Sequence, residues 1–113
     1  SSPTLSRYTA QLSRGSSSGK ITVSYRVGAS ASTTITSIGV SSIKIYKANG
    51  TYVTTITGTT SNGLVGRNAS SHSGTYTYSG VSGTSYYAKV TMFATAGGIT
   101  DSGTVKTNTV TAP

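Results

Sequence analysis

The sequence contains no cysteine, no tryptophan and no glutamate, and it has a single acidic residue, Asp101. Without cysteine there is no disulfide and no thiolate metal site. One acid cannot supply the paired carboxylates of glycosidic acid–base chemistry or the several carboxylates of a calcium site. Zinc needs three or four ligands, and His72 with Asp101 makes two. Neither metal nor cofactor is therefore expected. No run of 18 apolar residues exists, so no membrane-spanning helix is expected either. One domain covering 1–113 is expected, and its opening "SSPT", residues 1–4, fits a mature N-terminus after signal removal or a short tail.

What is present is polar and small. Ser (21), Thr (22) and Gly (14) make up half of the chain, and the net charge is +8. Low apolar content with high charge is a signature of disorder. Two features oppose it here. The apolar residues fall into alternating runs, and they are mostly Val, Ile and Tyr, which suit a half-buried pleated surface. The expected fold is a β-domain with a thin core.

Helix formers are scarce, whereas strand signals recur. "YTAQLS" alternates weakly from Tyr8 to Ser13. "KITVSYRVG" alternates cleanly, with Ile21, Val23, Tyr25 and Val27 on one side and Thr22, Ser24 and Arg26 on the other. "TTITSIGV" is mixed and reads as a short strand or a bend. "SSIKIYK" and "TYVTTIT" flank Ala48-Asn49-Gly50, and Asn49-Gly50 between two β-runs predicts a hairpin. Residues 58–74 read as a long glycine-rich loop holding Arg67 and His72. "TYTYSG" is a short strand. In "YYAKVTMFAT", Tyr86, Ala88, Val90, Met92 and Ala94 form an inward face, and Tyr87, Lys89, Thr91, Phe93 and Thr95 an outward one. About seven strands with turn signals between them predict an antiparallel two-sheet sandwich.

The phrase Gly83-Thr84-Ser85-Tyr86, followed by Ala88, Val90 and Ala94, resembles the penultimate strand of fibronectin type III and related immunoglobulin-like domains. "GGITDSGTVKT" is similar to that family's last turn and strand. The resemblance covers about thirty residues, and the family's tryptophan has no counterpart here. It implies an immunoglobulin-like sandwich and a corner role for Tyr86, its hydroxyl bonded to nearby backbone. Gly83, Thr84, Asn49 and Gly50 are then structural positions. The whole-chain pattern also resembles small secreted domains of Firmicutes of unknown function, which implies a secreted or wall-associated setting.

Nine Lys and Arg side chains face Asp101 alone. Such a surface attracts polyanions. The charges never stand three together in the sequence, however, and recognition patches are usually clustered. Solubility is the favoured explanation, with weak, salt-sensitive polyanion binding expected. Of eight tyrosines, Tyr46, Tyr52, Tyr76, Tyr78 and Tyr87 are expected by parity to be exposed. They form either a platform that stacks sugars or cross-strand pairs that stabilise a threonine-rich face, and pairing is favoured. A Ser-His-Asp triad is formally possible with His72 and Asp101. No Gly-x-Ser-x-Gly elbow accompanies them, and they read as an exposed loop histidine and a turn aspartate. The expected function is a non-catalytic extracellular binding or structural module. A carbohydrate-binding module is the alternative, and a hydrolase using His72 the remote one. A wall polyanion or glycan is the expected partner, with no specific nucleic acid.

Overall fold

A computed structural model describes residues 3–113, which form nine β-strands and no helix. The strands are β1 (Thr4–Arg14), β2 (Lys20–Ser30), β3 (Ile35–Lys47), β4 (Tyr52–Thr57), β5 (Val65–Arg67), β6 (Ser71–Ser79), β7 (Ser85–Ala96), β8 (Ile99–Lys106) and β9 (Val110–Thr111). All pairings are antiparallel. One sheet has the order β1-β2-β6. The other has the order β4-β3-β7-β8, with β5 also on β3 and β9 also on β7. The two sheets pack face to face as a sandwich.

The strand count exceeds the expected seven because of two short pieces. β9 continues the last strand along β7 after an interruption at Thr107–Thr109. There the Thr107 hydroxyl accepts the Ala88 N–H at 2.9 Å. β5 lies beside the first half of β3 and occupies part of the segment expected as a loop over 58–74. β6 takes its last four residues, 71–74, and 58–64 and 68–70 remain loop. The inward positions of β6 are His72, Gly74, Tyr76 and Tyr78. Period-two apolar patterning is weak there because β6 is an edge strand that covers the core only partly. Residues 1 and 2 lie outside the described residues, but Thr4 already pairs with Ser30.

The core lies between β2 on one side and β3 and β7 on the other. Ile21, Val23, Tyr25, Val27 and Ala29 of β2 face Ile38, Val40, Ile43 and Ile45 of β3 and the Tyr86-to-Ala96 face of β7. Burying each Val or Ile side chain stabilises the fold by roughly 1.5–3 kcal/mol. "TTITSIGV" and "SSIKIYK" prove to be one 13-residue strand. Bulges between Ile35 and Ser37 and between Val40 and Ser42 reset its parity. Hence Ile35, Ile38, Val40 and Ile43 are all buried although their spacing breaks a strict alternation. Gly39 sits between the bulges at φ 149°. A Cβ there would lie 2.2 Å from the Leu64 carbonyl oxygen, which accepts the Val40 N–H.

β1 is an edge strand tied to the opposite sheet by side chains. The Asn108 Oδ1 accepts the Leu12 N–H at 2.9 Å, and its Nδ2 donates to the Leu12 carbonyl at 3.0 Å. Asp101 Oδ2 accepts the Leu5 N–H at 3.0 Å. Asp101 is therefore not a turn residue. It lies in β8 opposite Ala94, on the inward side of that strand, where it holds β1.

Two destabilisations follow. Asn108→Ala removes two bonds to one strand, and a loss of about 2 kcal/mol is expected. The readout is the urea midpoint, together with faster amide exchange at Leu12. An unchanged midpoint would show that β1 is held by packing alone. Tyr86 is 2% exposed and its Oη accepts the Val81 N–H at 2.9 Å. Tyr86→Phe keeps the ring and removes the acceptor, so a cost of about 1 kcal/mol is expected in the same assay.

Candidate functional site

The residues singled out in the sequence divide among three places. The first is the outer face of the larger sheet. Cross-strand register sets Tyr52 of β4 opposite Tyr46 of β3, and Tyr46 opposite Tyr87 of β7. The rings of Tyr46 and Tyr87 are stacked, 5.2 Å apart and 9° from parallel. Tyr52 meets Tyr46 from the other side at 5.8 Å and 70°. Its hydroxyl is 2.6 Å from the Thr55 hydroxyl. β8 lies beyond β7, and from there Lys106 sets its Nζ over the Tyr87 ring at 4.7 Å. Lys89 does the same over Tyr46 at 5.2 Å.

This geometry decides what the tyrosines can do. A sugar or a base stacks on a free ring face. Tyr87 has Tyr46 on one face and an ammonium on the other, and Tyr46 is flanked by Tyr87 and Tyr52. Both are half-buried. Tyr52, 55% exposed, keeps open ring surface. The row is a cross-strand aromatic ladder with one accessible ring at its end.

The second place is the rim of the core. Tyr76 and Tyr78, expected on the exposed side, point inward from β6 and pack against the core. Tyr78 meets Tyr86 edge-on at 5.9 Å and 78°. The parity argument misplaces them because β6 begins inside the supposed loop, so the phase of its alternation had no anchor. They do not join the other three tyrosines. Burial pushes the Tyr78 phenol above the usual range, with the neighbouring Tyr86 adding to the effect. Burial alone raises Tyr25 in the same way.

The third place is the Leu64–His72 segment. His72 is a half-buried β6 residue and not an exposed loop residue. Its Nε2–H donates to the Gly63 carbonyl at 2.8 Å, and the Tyr25 hydroxyl donates to that same oxygen at 3.1 Å. The two rings lie 5.9 Å apart. His72 thus fastens the Gly63 turn, while Arg67 is exposed at the end of β5. His72 sits in the β1-β2-β6 sheet and Asp101 in the other, each bonded to backbone. Among the described residues no three His, Cys, Asp or Glu side chains come together as a metal site. No helix there is long and apolar enough to cross a membrane, which says nothing about a β-barrel.

The turn positions are also placed. Gly50, at φ 93°, donates its N–H to the Lys47 carbonyl, and Asn49 Oδ1 accepts the Thr51 N–H at 3.0 Å; together these close the β3–β4 hairpin. Gly83 donates its N–H to the Ala112 carbonyl, and Thr84 to that of Val81, which brings the chain round into β7.

Three lysines join the tyrosines on the outer face of the larger sheet. Lys44, Lys89 and Lys106 stand side by side across β3, β7 and β8. Lys44 shares parity with Tyr46 and Lys89 with Tyr87, and that was visible. Their juxtaposition was not, because it depends on the pairing of β3 with β7.

The phenol shifts carry a pH consequence. A phenol whose folded pKa lies above its unfolded value of about 10 contributes stability that is fully present below pH 10. That stability is lost as the pH rises through the folded value. Melting temperature should therefore fall above about pH 10, and the fall should be smaller in Tyr25→Phe and Tyr78→Phe. Equal slopes in all three proteins would remove these tyrosines as the cause.

No protein family model matches the chain, and no curated protein matches it significantly. Among solved structures it is similar to a β-glucuronidase of Parabacteroides merdae, with a TM-score of 0.50 and 9% identity. The match covers 92% of this chain and 13% of that enzyme's chain. The likeness is one of fold: an all-β sandwich the size of one part of a larger protein.

Proposed function

We propose that the chain is a non-catalytic structural module of a secreted or cell-surface bacterial protein, built as an immunoglobulin-like sandwich of the fibronectin type III kind. Strand order supports the architecture. In immunoglobulin-type sandwiches the third, sixth and seventh strands share one sheet, and the first, second and fifth lie in the other. With the short β5 and β9 set aside, β3-β7-β8 and β1-β2-β6 follow that rule. Tyr86, at the start of β7, bonds the backbone five residues upstream, as a tyrosine corner does.

The observation that carries the spacer role is the placing of the two ends. Thr4 pairs with Ser30 at one pole of β1. Pro113 accepts a hydrogen bond from Gly19, beyond the other pole. Eleven residues of strand lie between the poles, and the molecule is 47 Å long and 23 Å wide. Thr4 and Pro113 therefore lie toward opposite poles, a placing that suits a link between neighbouring modules. The side chains with chemical potential, His72 and Asp101, are engaged in holding backbone. The likeness to a short part of a β-glucuronidase fits a module within a longer chain.

The test is small-angle scattering from two copies joined head to tail. The expected particle is a rod approaching twice the 47 Å long axis. A pair folded side by side would overturn the spacer reading. The alternative, a glycan-binding module, has the open Tyr52 ring in its favour. Saturable binding of a neutral oligosaccharide that is lost in Tyr52→Ala would establish it instead.

A further inference from the structure

We propose that the outer face of the β4-β3-β7-β8 sheet binds a linear acidic polysaccharide across the row Lys44–Lys89–Lys106, an activity separate from the spacer role. Lys44 is the direct partner of Lys89, and Lys89 of Lys106. All three are exposed. Neighbouring strands lie about 4.8 Å apart, so the three lysines leave the sheet within about 10 Å of one another. Like charges placed opposite one another destabilise a sheet. Nothing in the chain can neutralise this row by pairing on that face. The only acid, Asp101, points to the other side of β8 and is bonded to Leu5. The contacts with Tyr46 and Tyr87 orient Lys89 and Lys106 but leave their charge in place. An external polyanion relieves the repulsion.

The surroundings of the row select the kind of polyanion. On one side stand the tyrosines, whose ring faces at positions 46 and 87 are covered. That disfavours single-stranded nucleic acid, which needs open faces for its bases. On the other side runs a row of hydroxyls, Ser42, Thr91 and Thr104, which are cross-strand partners. Thr91 and Thr104 Oγ1 lie 2.9 Å apart. Hydroxyls beside ammonium groups on one sheet face match a polymer that carries a carboxylate and several hydroxyls on each unit. Such a polymer would lie across the strands, along the row.

The experiment measures binding of polygalacturonate to the whole chain at low ionic strength, with neutral dextran and single-stranded DNA as comparisons. The variant Lys44→Gln/Lys89→Gln/Lys106→Gln is expected to lose about tenfold in affinity or more. A second variant, Arg7→Gln/Arg14→Gln/Arg26→Gln, removes equal charge from the other sheet and should lose less than about threefold. Relief of like-charge repulsion should leave the melting temperature of the lysine variant unchanged or raised, which separates lost binding from lost folding. Equal losses in the two variants would mean that net charge acts and the row does not. Tighter binding of DNA than of polygalacturonate would overturn the choice of ligand, and binding of dextran would overturn the role of charge.

Discussion

The antiparallel pairing of β3 with β7 is the contact on which the rest of the molecule depends. It joins residues about fifty positions apart and runs nearly the full length of both strands. Its inner face places Ile38, Val40, Ile43 and Ile45 beside Ala88, Val90, Met92 and Ala94, and this surface is what β2 covers. Its outer face sets Tyr46 against Tyr87 and Lys44 against Lys89. Because side chains alternate between the bulges, a shift of one residue would exchange the two faces. The bulges in β3 and the absence of a side chain at Gly39 keep the register where both faces are satisfied. Such pairing closes a long loop before it yields contacts, so slow folding is the expected consequence.

A chain that is half Ser, Thr and Gly must secure its polar groups by other means than ion pairs. It does so with single side chains that replace backbone partners at the edges of the sheets. Asn108 acts toward β1 as a neighbouring residue of a strand would, with one donor and one acceptor for Leu12. Asp101, His72 and Tyr25 each hold one backbone group, and Thr107 holds two, the Ala88 N–H and the Asn108 carbonyl. Among the described residues no buried side-chain nitrogen or oxygen lacks a partner. That accounting matters because an unpaired buried polar group costs about 1–3 kcal/mol, a large share of the stability of a small domain. It also explains why the residues that looked chemically reactive are structural.

The positive charge has a different organisation in space than along the chain. Its dispersal in the sequence argued for solubility and against a patch. The larger sheet gathers three of the lysines onto one face, with tyrosines on one side and hydroxyls on the other. The smaller sheet sets no two arginines directly opposite each other: Arg7 faces Gly28, Arg14 faces Ile21, and Arg26 faces Thr9 and Ser73. The proposed activity of the outer face therefore rests on strand register, and the proposed spacer role on the placing of the two ends.

Local patterning determined a good deal on its own. The period-two runs in "KITVSYRVG" and "YYAKVTMFAT", the Asn49-Gly50 turn and the scarcity of helix formers were enough for an all-β antiparallel fold and for the buried face of β7. These features act within a few residues, where backbone geometry and side-chain parity leave little choice. The merging of "TTITSIGV" with the strand after it, the inward turn of Tyr76 and Tyr78, the tethering of β1 by Asn108 and the row Lys44–Lys89–Lys106 were decided only by the tertiary structure. Each depends on which distant strand becomes a neighbour. That choice is made by burying two faces at once, a condition that no local stretch of sequence can express.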